Sequence, residues 1–239
     1  DHPTIRTFQF FGAGQMMLSK YIIVVNSDVH VTDYLSVAEA FFANVRFETD
    51  LLLTRGPLDV LDHSSDRFSM GGKLGIDATV KLSEERVAES HTMPMMLLTD
   101  DEITNRYITG LKTMAQYALP VAVLTISKPD TGLDMHRMAS SLPASLTTPG
   151  TVIIAVDDGA DADDPAMLTW LVTGNSDPAR DLYHLDGGAL FIDATSKVNS
   201  LPAFPREWPN VVCSDPETIQ LTDRRWPEYG LGPLIASPS

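Results

Sequence analysis

The chain has 239 residues, 44% of them hydrophobic, so it can bury a substantial core as one large domain or two small ones. Its 17 basic and 32 acidic residues give a formal net charge of −15, which repels phosphate backbones and anionic lipid surfaces. We therefore expect no nucleic-acid or membrane-surface partner.

Cysteine content and hydropathy indicate where the protein works. Cys213 is the one cysteine, so it cannot form an internal disulfide. No apolar run approaches the roughly 20 residues needed to cross a bilayer. We predict a cytoplasmic protein with no membrane span. The sequence opens with Asp1, His2 and Pro3, without an initiator methionine or a signal peptide, and we expect that it was cut from a longer polypeptide.

The first 82 residues predict a strand, a helix and a second strand. Residues 21–25 form a short β-branched apolar run, which is typical of a parallel strand covered on both faces. Asp33 is the predicted N-cap of the helix, and residues 51–53 are the predicted returning strand. The helix is indicated by apolar residues at helical spacing: Leu35, Ala38, Phe41, Phe42 and Val45.

The middle of the chain predicts a linker followed by a helix. Residues 83–96 are polar and have little periodicity. A helix is predicted to start at Asp100, Asp101 and Glu102. Its apolar face would carry four residues: Ile103, Tyr107, Leu111 and Met114.

The second half predicts a similar set of elements. Residues 119–126 and 153–157 are apolar runs typical of buried strands, and residues 182–185 are a returning strand. Between them, a helix is predicted to begin at Asp164, with Pro165 in its first turn, and to close at Gly174. Residues 215–226 predict one further amphipathic helix.

Two stretches of the chain repeat the same residue types at constant spacing. Asn26 and Asp157 are 131 positions apart, whereas Gly71 and Gly187 are 116 positions apart, so the second copy lacks 131 − 116 = 15 residues. The same spacings relate Asp33 to Asp164, Asn44 to Asn175, Asp50 to Asp181, Asp77 to Asp193 and Lys81 to Lys197. A repeat of this length indicates one folding unit used twice.

The predicted fold class is α/β. Alternating strands and helices predict a mostly parallel or mixed sheet flanked by helices, in two tandem β-loop-α-β repeats. The predicted parts are a first copy at 1–82, a linker and helix at 83–118, a degenerate second copy at 119–212, and a C-terminal helix and tail at 213–239.

The stretch kept only in the first copy is the predicted place for chemistry. It contains an acid, a histidine and two serines in a row, and an Asx or Ser turn is the alternative because adjacent residues cannot usually form a hydrolase triad. Lys73 follows at a Gly-rich turn, where a lysine can hold a phosphate as a point charge or can be a solvated loop charge. The pocket-lining candidates are Asp62, His63, Ser64, Ser65, Gly71 and Gly72.

Three other patterns have plainer interpretations. Gly12-Ala13-Gly14 stands before its strand, which favours a tight turn over a dinucleotide clamp. The acidic residues at 157–164 lack the order of a calcium loop, which favours a solvated turn with an N-cap. The histidines have no partners at metal-binding spacing and are expected in surface or structural roles: His30, His91 and His136.

Several motifs together resemble the C-terminal part of UbiD-type decarboxylases, the polyprenyl-hydroxybenzoate carboxy-lyases of quinone biosynthesis and their aromatic-acid relatives. The resemblance covers 8–81 well, 151–231 as a degenerate copy, and 84–118 weakly. The motifs that carry it are Phe11-Gly12-Ala13-Gly14-Gln15-Met16-Met17, Lys20, 22–25, Gly56-Pro57, Leu61-Asp62-His63-Ser64-Ser65, 72–79, Arg206-Glu207-Trp208-Pro209 and 226–231.

The resemblance implies a non-oxidative decarboxylation on prenylated FMN, whose phosphate is held by a divalent metal, Mn or Mg, and by K. It implies that an upstream flavin-binding domain of the same polypeptide carries the flavin, the metal ligands and the catalytic residues. Carried over by position, Lys73 would reach the cofactor. No catalytic residue and no metal ligand is assigned within this chain, and no tightly bound cofactor is expected on it.

The predicted function is therefore to close the active site of a carboxy-lyase and to mediate homo-oligomerisation, with a small aromatic acid as substrate. The isolated chain is expected to be inactive. Two alternatives stay open: a non-catalytic structural or oligomerisation module, and a free-standing nucleotide-binding α/β protein.

Overall fold

The computed structural model describes residues 9–82, 84, 105–199, 204–210 and 214–234. The chain divides into two compact units, one ending at Trp208 and the other starting at Pro209. The described residues of the first unit form two β-sheets with their helices. In the described part of the second unit, the principal element is one long helix.

The first module comprises residues 21–77. Its order of elements is strand β1 (Tyr21–Val24), helix α1 (Tyr34–Asn44), strand β2 (Leu51–Pro57) and strand β3 (Met70–Asp77). The strand order in the sheet is β1-β3-β2. β1 runs parallel to β3, and β2 runs antiparallel to it. The last strand in sequence is therefore the central one.

The second module comprises residues 108–193 and has a five-stranded sheet in the order β4-β5-β6-β8-β7. β5 and β8 lie parallel to β6, whereas β4 and β7 are antiparallel edge strands. Its elements are β4 (Ile108–Thr113), β5 (Val121–Ile126), helix α2 (Met135–Ala139), β6 (Val152–Asp157), helix α3 (Pro165–Asn175), helix α4 (Pro178–Asp181), β7 (Leu182–His184) and β8 (Leu190–Asp193).

The two modules share a topology. β6, α3, β7 and β8 follow one another as β1, α1, β2 and β3 do, and the strands take the same order and directions in their sheets. The predicted α/β class with helix-flanked mixed sheets is confirmed. The part that the two modules share is β-α-β-β. The predicted β-loop-α-β repeat was one strand short, because β3 and β8 were not predicted as strands. The duplication itself stays a proposal, which this shared topology supports.

A common apolar core joins the modules. Leu74 of β3 lies in the same buried cluster as Val123 of β5. The opposite face of the second sheet buries Leu124 and Phe191 in another cluster together with Met135 of α2. The second sheet is therefore covered on both faces, which suits the continuous apolar runs of its inner strands.

The predicted helix starts are confirmed. The Asp33 carboxylate accepts the Leu35 N–H at 3.2 Å, and the Asp164 carboxylate accepts the Ala166 N–H at 2.8 Å. Such side chains bind backbone N–H groups that have no partner inside the helix. The prediction that Gly174 closes α3 is wrong by one residue, because the helix continues to Asn175.

The helix predicted from Asp100 to Met114 is wrong where it can be compared. Residues 108–113 form strand β4, which pairs antiparallel with β5. The β-branched Ile108, Thr109 and Thr113 favour this extended conformation. The predicted start at Asp100 lies outside the described residues, as does most of the predicted linker, so the boundaries at 82 and 118 stay predictions.

In the second unit, helix α5 (Pro216–Tyr229) confirms the predicted C-terminal helix. Asp215 caps it by accepting the Thr218 N–H at 2.9 Å. Gly230 follows in the left-handed conformation with φ of 65°, which a glycine adopts without strain.

Burial of β6 generates a stability prediction. Replacing the fully buried Ile153 by alanine should lower the free energy of unfolding by about 2–5 kcal/mol, because the lost methyl groups leave a cavity. Urea unfolding followed by circular dichroism measures the loss. The matched control is Ile23→Ala in β1, where 43% of the side chain is exposed, and its loss should be clearly smaller. Equal losses would contradict the assigned packing.

Candidate functional site

The loop between β2 and β3 forms a turn that is held by hydrogen bonds to Asp62. The Asp62 carboxylate accepts the Ser64 N–H at 3.0 Å and the Ser65 N–H at 3.2 Å. The hydroxyl of Ser65 donates to the Arg67 carbonyl at 2.8 Å. These bonds form the Asx turn that was the plainer of the two sequence interpretations.

Asp62 also forms an ion pair with Lys20, the residue that immediately precedes β1. Their charged atoms are 2.7 Å apart, and the two side chains are only 13% and 8% exposed. The ammonium also donates to Ser64 Oγ at 2.8 Å. Burial alone would raise the pKa of the Asp62 carboxyl, but Lys20 and Ser64 outweigh it and hold this pKa below its usual value.

The predicted pocket loop packs against the second module. Ser64 Oγ lies 3.1 Å from the Ser176 carbonyl oxygen, and Arg180 donates to the Ser64 carbonyl at 2.8 Å. His63 Nε2 lies 3.1 Å from Asn175 Oδ1. From β1, the Tyr21 hydroxyl is hydrogen bonded to Ser176 Oγ. The loop therefore connects the two modules.

Residues 204–208 cover the same loop. The His63 ring meets the Trp208 ring edge-on, with centroids 4.8 Å apart. Arg206 donates to the Ser65 carbonyl at 3.0 Å, and the Arg180 guanidinium lies 5.1 Å from the centre of the Phe204 ring. The predicted pocket residues Asp62 to Ser65 are thus brought together as the centre of an interface within the first unit.

Lys73 is a buried residue of the central strand β3. Its ammonium donates to the carbonyls of Met17 at 2.5 Å and Ser19 at 2.7 Å, and it lies 5.4 Å from the centre of the Phe11 ring. Burial lowers the pKa of Lys73, while the more distant Asp62 acts in the opposite direction. Lys73 thus fixes residues 14–18, a 3₁₀ helix whose outer surface is exposed.

The predicted Gly-rich turn at Gly71, Gly72 and Lys73 is wrong, because all three residues lie inside β3. A Cβ on Gly71 would lie 2.6 Å from a methyl carbon of Leu58, and one on Gly72 would collide with Asp177. The glycines are needed because helix α4 approaches the strand backbone at this point.

Asp177 makes the contact that requires this close approach. Its fully buried carboxylate accepts the Gly72 N–H at 3.0 Å and the Ala179 N–H at 2.9 Å. One side chain thus caps helix α4 of the second module and binds strand β3 of the first. The role of Asp177 was not predicted from the sequence, because no local pattern around it indicates that Gly72 is its partner.

A second missed feature is an Asp-Asp-Lys triad in each module. In the first, Lys81 Nζ lies 3.4 Å from an Asp50 carboxylate oxygen and 3.3 Å from one of Asp77. The other Asp77 oxygen accepts the Thr79 N–H at 3.0 Å.

The second module reproduces the triad in a more buried setting. Lys197 Nζ lies 3.7 Å from Asp181 and 3.1 Å from Asp193, and Asp193 accepts the Thr195 N–H at 3.0 Å. Burial raises the pKa of Asp181, even though Lys197 and Arg180 act to lower it. Recurrence of these residues in the sequence was the available signal. The contacts link the residue before β2 to the end of β3, and the residue before β7 to the end of β8.

Two acidic residues of the 157–164 stretch form ion pairs. Asp157 forms an ion pair with Lys128 at 3.2 Å, and Asp163 pairs with Lys112 at 3.0 Å. Among the described residues, no group of three potential ligands is placed to hold a metal ion.

Gly14, from the predicted tight turn, begins a 3₁₀ helix ahead of β1. Within the described residues, no helix has the length and apolar character needed to span a membrane.

The residues around Lys73 do not fit a flavin phosphate in this conformation. The Lys73 ammonium is directed at two backbone carbonyls, and the neighbouring Gly72 N–H is bound by the Asp177 carboxylate. A phosphate bound by Lys73 would have to displace both carbonyls, and one bound by the Gly72 N–H would have to displace the Asp177 carboxylate. The predicted direct contact between Lys73 and the cofactor stays a prediction.

Comparison with known proteins identifies the family. The family model described as the 3-octaprenyl-4-hydroxybenzoate carboxy-lyase C-terminal domain matches residues 6–78 and 102–211. This match spans both modules and most of the chain. The protein therefore belongs to the family of UbiD C-terminal domains, as the motifs indicated.

Relatives and solved structures are similar over parts of their length. A protein of Helicobacter pylori is 32% identical over 213 residues, which is 88% of this chain and 33% of that protein. An Aquifex aeolicus protein is 41% identical over 78 residues, 33% of this chain and 16% of that protein. The chain spans about a third or less of the length of these curated relatives.

Two of the similar solved structures are a vanillic acid decarboxylase and a UbiD-class enzyme. The closed form of vanillic acid decarboxylase from Sedimentibacter hydroxybenzoicus has 26% identity and a TM-score of 0.33, over 37% of this chain and 19% of that chain. HmfF from Pelotomaculum thermopropionicum, in complex with FMN, has 26% identity and a TM-score of 0.30, over 39% of this chain and 22% of that chain.

Close packing of α4 on β3 predicts that Gly72→Ala is strongly destabilising. The added methyl group would collide with Asp177 and lie 2.8 Å from the Ala179 side chain, so the interface must open. The free energy of unfolding, measured by thermal unfolding, should fall by about 1–3 kcal/mol or more. The control is Gly12→Ala, where nothing lies within 4 Å of the added carbon. A Gly72→Ala protein as stable as the control would contradict the assigned contact.

The Asp62–Lys20 pair predicts a pH-dependent effect of Asp62→Asn. The variant leaves Lys20 buried without its anion, so at neutral pH the free energy of unfolding should fall by about 3 kcal/mol. The folded-state pKa of Asp62 is lowered, so the stabilisation is present above about pH 3.9, the pKa of an unfolded Asp, and is lost as pH falls through the folded pKa.

Urea unfolding from about pH 7 to about pH 2.5 measures this effect. The difference in free energy of unfolding between the wild type and Asp62→Asn should become smaller at the acid end of this range. Asp158→Asn, at an exposed position, is the control and should show little difference at any pH. A pH-independent difference for Asp62→Asn would show that the ion pair is not its cause.

Proposed function

We propose that this chain is the C-terminal portion of a UbiD-type carboxy-lyase that decarboxylates a polyprenyl-hydroxybenzoate or related aromatic acid in quinone biosynthesis. The observation that carries the proposal is the family match over both modules. The longer relatives support it, because they leave room for the domain that would carry the chemistry.

The cofactor of the whole enzyme is prenylated FMN with Mn or Mg and K, held by an upstream flavin-binding domain of the same polypeptide. When bound, this flavin supplies the electron sink that decarboxylation needs. No step of the reaction is assigned to residues of this chain.

The role of this chain is to form a rigid wall that closes the substrate pocket. Two features suit it for that role: Asp177 joins the two modules, and the Asp62–Lys20 pair fixes the loop above β3. A wall of this kind excludes water and holds the substrate in position.

Lys73 acts on the pocket through the segment that it holds. Its hydrogen bonds to Met17 and Ser19 fix the 3₁₀ helix at 14–18, in which Gln15 and Met16 are exposed. In the proposed enzyme, this surface faces the flavin domain. Loss of the Lys73 ammonium would leave both carbonyls without their donor and would release the segment.

A second candidate role, homo-oligomerisation, is favoured by apolar side chains on the loop found only in the first module. Leu61 is 84% exposed and Phe68 is 71% exposed. Large exposed apolar side chains on one loop are common at protein interfaces. A homo-oligomer that buries this loop would also hold the active-site wall in place.

Activity of the full-length polypeptide tests the proposal. With prenylated FMN, Mn and K present, it should release CO₂ from 4-hydroxybenzoate-type acids, whereas residues 1–239 alone should not. Lys73→Met should lower kcat/KM by about 10²-fold, since a small displacement of positioning groups has effects of this size. Lys112→Met, at an exposed ion pair, is the matched control. Turnover by residues 1–239 alone would overturn the assignment.

The oligomer role has a separate readout. Phe68→Ser should lower the solution mass measured by light scattering, because it removes an exposed apolar group from the loop. An unchanged mass would exclude this loop as the interface. That result would leave the carboxy-lyase proposal to be judged by the activity assay.

A further inference from the structure

Strand β2 (Leu51–Pro57) has one free edge. It pairs with β3 on one side, and among the described residues no strand lies on its other side. Its counterpart β7 is also an edge strand, but it has only three residues. A short edge is a poor template for a further strand, whereas a longer edge can accept one. The free edge of β2 is therefore a candidate interaction surface.

The hydrogen bonds of β2 determine which of its backbone groups are free. The Asp50 carbonyl accepts the Asp77 N–H at 2.9 Å, and Leu58 donates to the Ser69 carbonyl at 3.0 Å. The register between these two pairs is continuous. Because backbone groups alternate along an antiparallel strand, every second residue between them is bonded to β3.

Leu51, Leu53 and Arg55 therefore direct their N–H and C=O groups away from β3. The residue opposite Leu53 shows the same alternation, because Leu74 donates its N–H to the Lys20 carbonyl at 2.9 Å, on the β1 side. In the part of the chain that the structure describes, these outward groups of β2 have no backbone partner.

Apolar side chains lie exposed along the same edge. Leu52 is 44% exposed and Leu53 is 50% exposed. Leu51 and Leu53 line a cleft of about 550 Å³ at the boundary between the two modules. The other apolar residues that line it are Phe47, Leu74, Leu182 and Leu185. An exposed apolar edge beside an apolar cleft favours a protein contact that covers both.

Opposite charges stand at the two ends of this edge. Glu48 lies just ahead of β2, where it is exposed and lines the cleft. Arg55 lies near the other end, and its side chain is 50% exposed, with one nitrogen 3.8 Å from an Asp66 oxygen. When two identical strands pair antiparallel, the acidic end of each meets the basic end of the other. The edge is therefore complementary to itself.

We propose that the β2 edges of two copies of this chain pair antiparallel across a two-fold axis. Leu53 of each copy lies opposite Leu53 of the other, and Leu51 lies opposite Arg55. In this register every outward N–H and C=O of these three residues gains a partner. The leucines of each copy cover the cleft of the other, and each Arg55 lies beside the other copy's Glu48.

A second copy fits this surface because β2 supplies its own complement, two leucines between an acid and a base. Pairing across a two-fold axis also closes the assembly and leaves no free edge on β2. The inference rests on the proposed homo-oligomerisation and names a contact for it. It requires neither the carboxy-lyase activity nor the loop with Phe68, each of which has its own test.

Disulfide crosslinking of the full-length protein tests the register. Residues directly opposite in a bonded antiparallel pair have Cα atoms about 5.5 Å apart, which a disulfide can span. Leu53→Cys, in a Cys213→Ser background, should form a dimer on oxidation. Leu52→Cys in the same background is the control, because Leu52 would lie opposite Thr54 and not opposite itself. A Leu52→Cys protein that crosslinks as well as Leu53→Cys would overturn the proposed pairing.

Charge reversal tests the contact between the two ends of the edge. Arg55→Glu should raise the dimer dissociation constant by more than about tenfold, because like charges would then meet. Adding Glu48→Arg should restore dimerisation, since the two charges are exchanged. Asp158→Arg, at an exposed position away from β2, is the control and should leave the dissociation constant unchanged.

Sedimentation over a range of protein concentrations measures these constants. A protein that is monomeric throughout would overturn both this inference and the proposed homo-oligomerisation. A dimer that survives Arg55→Glu would overturn this inference alone. Failure of Glu48→Arg to rescue Arg55→Glu would also overturn it, because the loss would then come from the contact of Arg55 with Asp66 within one copy.

Discussion

The buried carboxylate of Asp177 is the contact on which the arrangement of the two modules depends. It accepts N–H groups from Gly72 in β3 and from Ala179 in its own helix, so it has partners on both sides of the interface. A buried charge without such partners would cost several kcal/mol. The absence of side chains at Gly71 and Gly72 follows from this contact, because only glycine leaves room for the helix.

Charged groups around this contact specify geometry more than they add stability. Arg180 binds Asp181 through two hydrogen bonds and also donates to the Ser64 carbonyl, so one guanidinium binds groups of both modules. Buried ion pairs contribute little net stability, because desolvation offsets their attraction. Their requirement for matched partners does penalise any other arrangement. The loop found only in the first module is therefore held in a defined position, as its proposed role in the wall of a substrate pocket requires.

Much of the fold could be predicted from the sequence, because its signals are local. The caps at Asp33 and Asp164 and the apolar run of β1 depend on residues close together in the chain. β3 was missed because Gly71 and Gly72 are unusual in a strand interior. The role of the glycines depends on Asp177, which is 105 positions away. The Asx turn at Asp62 was one of two interpretations of the sequence, and its partners in α3 and α4 have no local signature.

The apolar core between the two sheets has a consequence for how the two modules can evolve. Leu74 from one module and Val123 from the other fill a single densely packed volume. A larger side chain in either module would overfill it, and a smaller one would leave a void. The two halves must therefore accept compensating changes together. Their surface loops lie outside this shared volume and can differ in length without disturbing it.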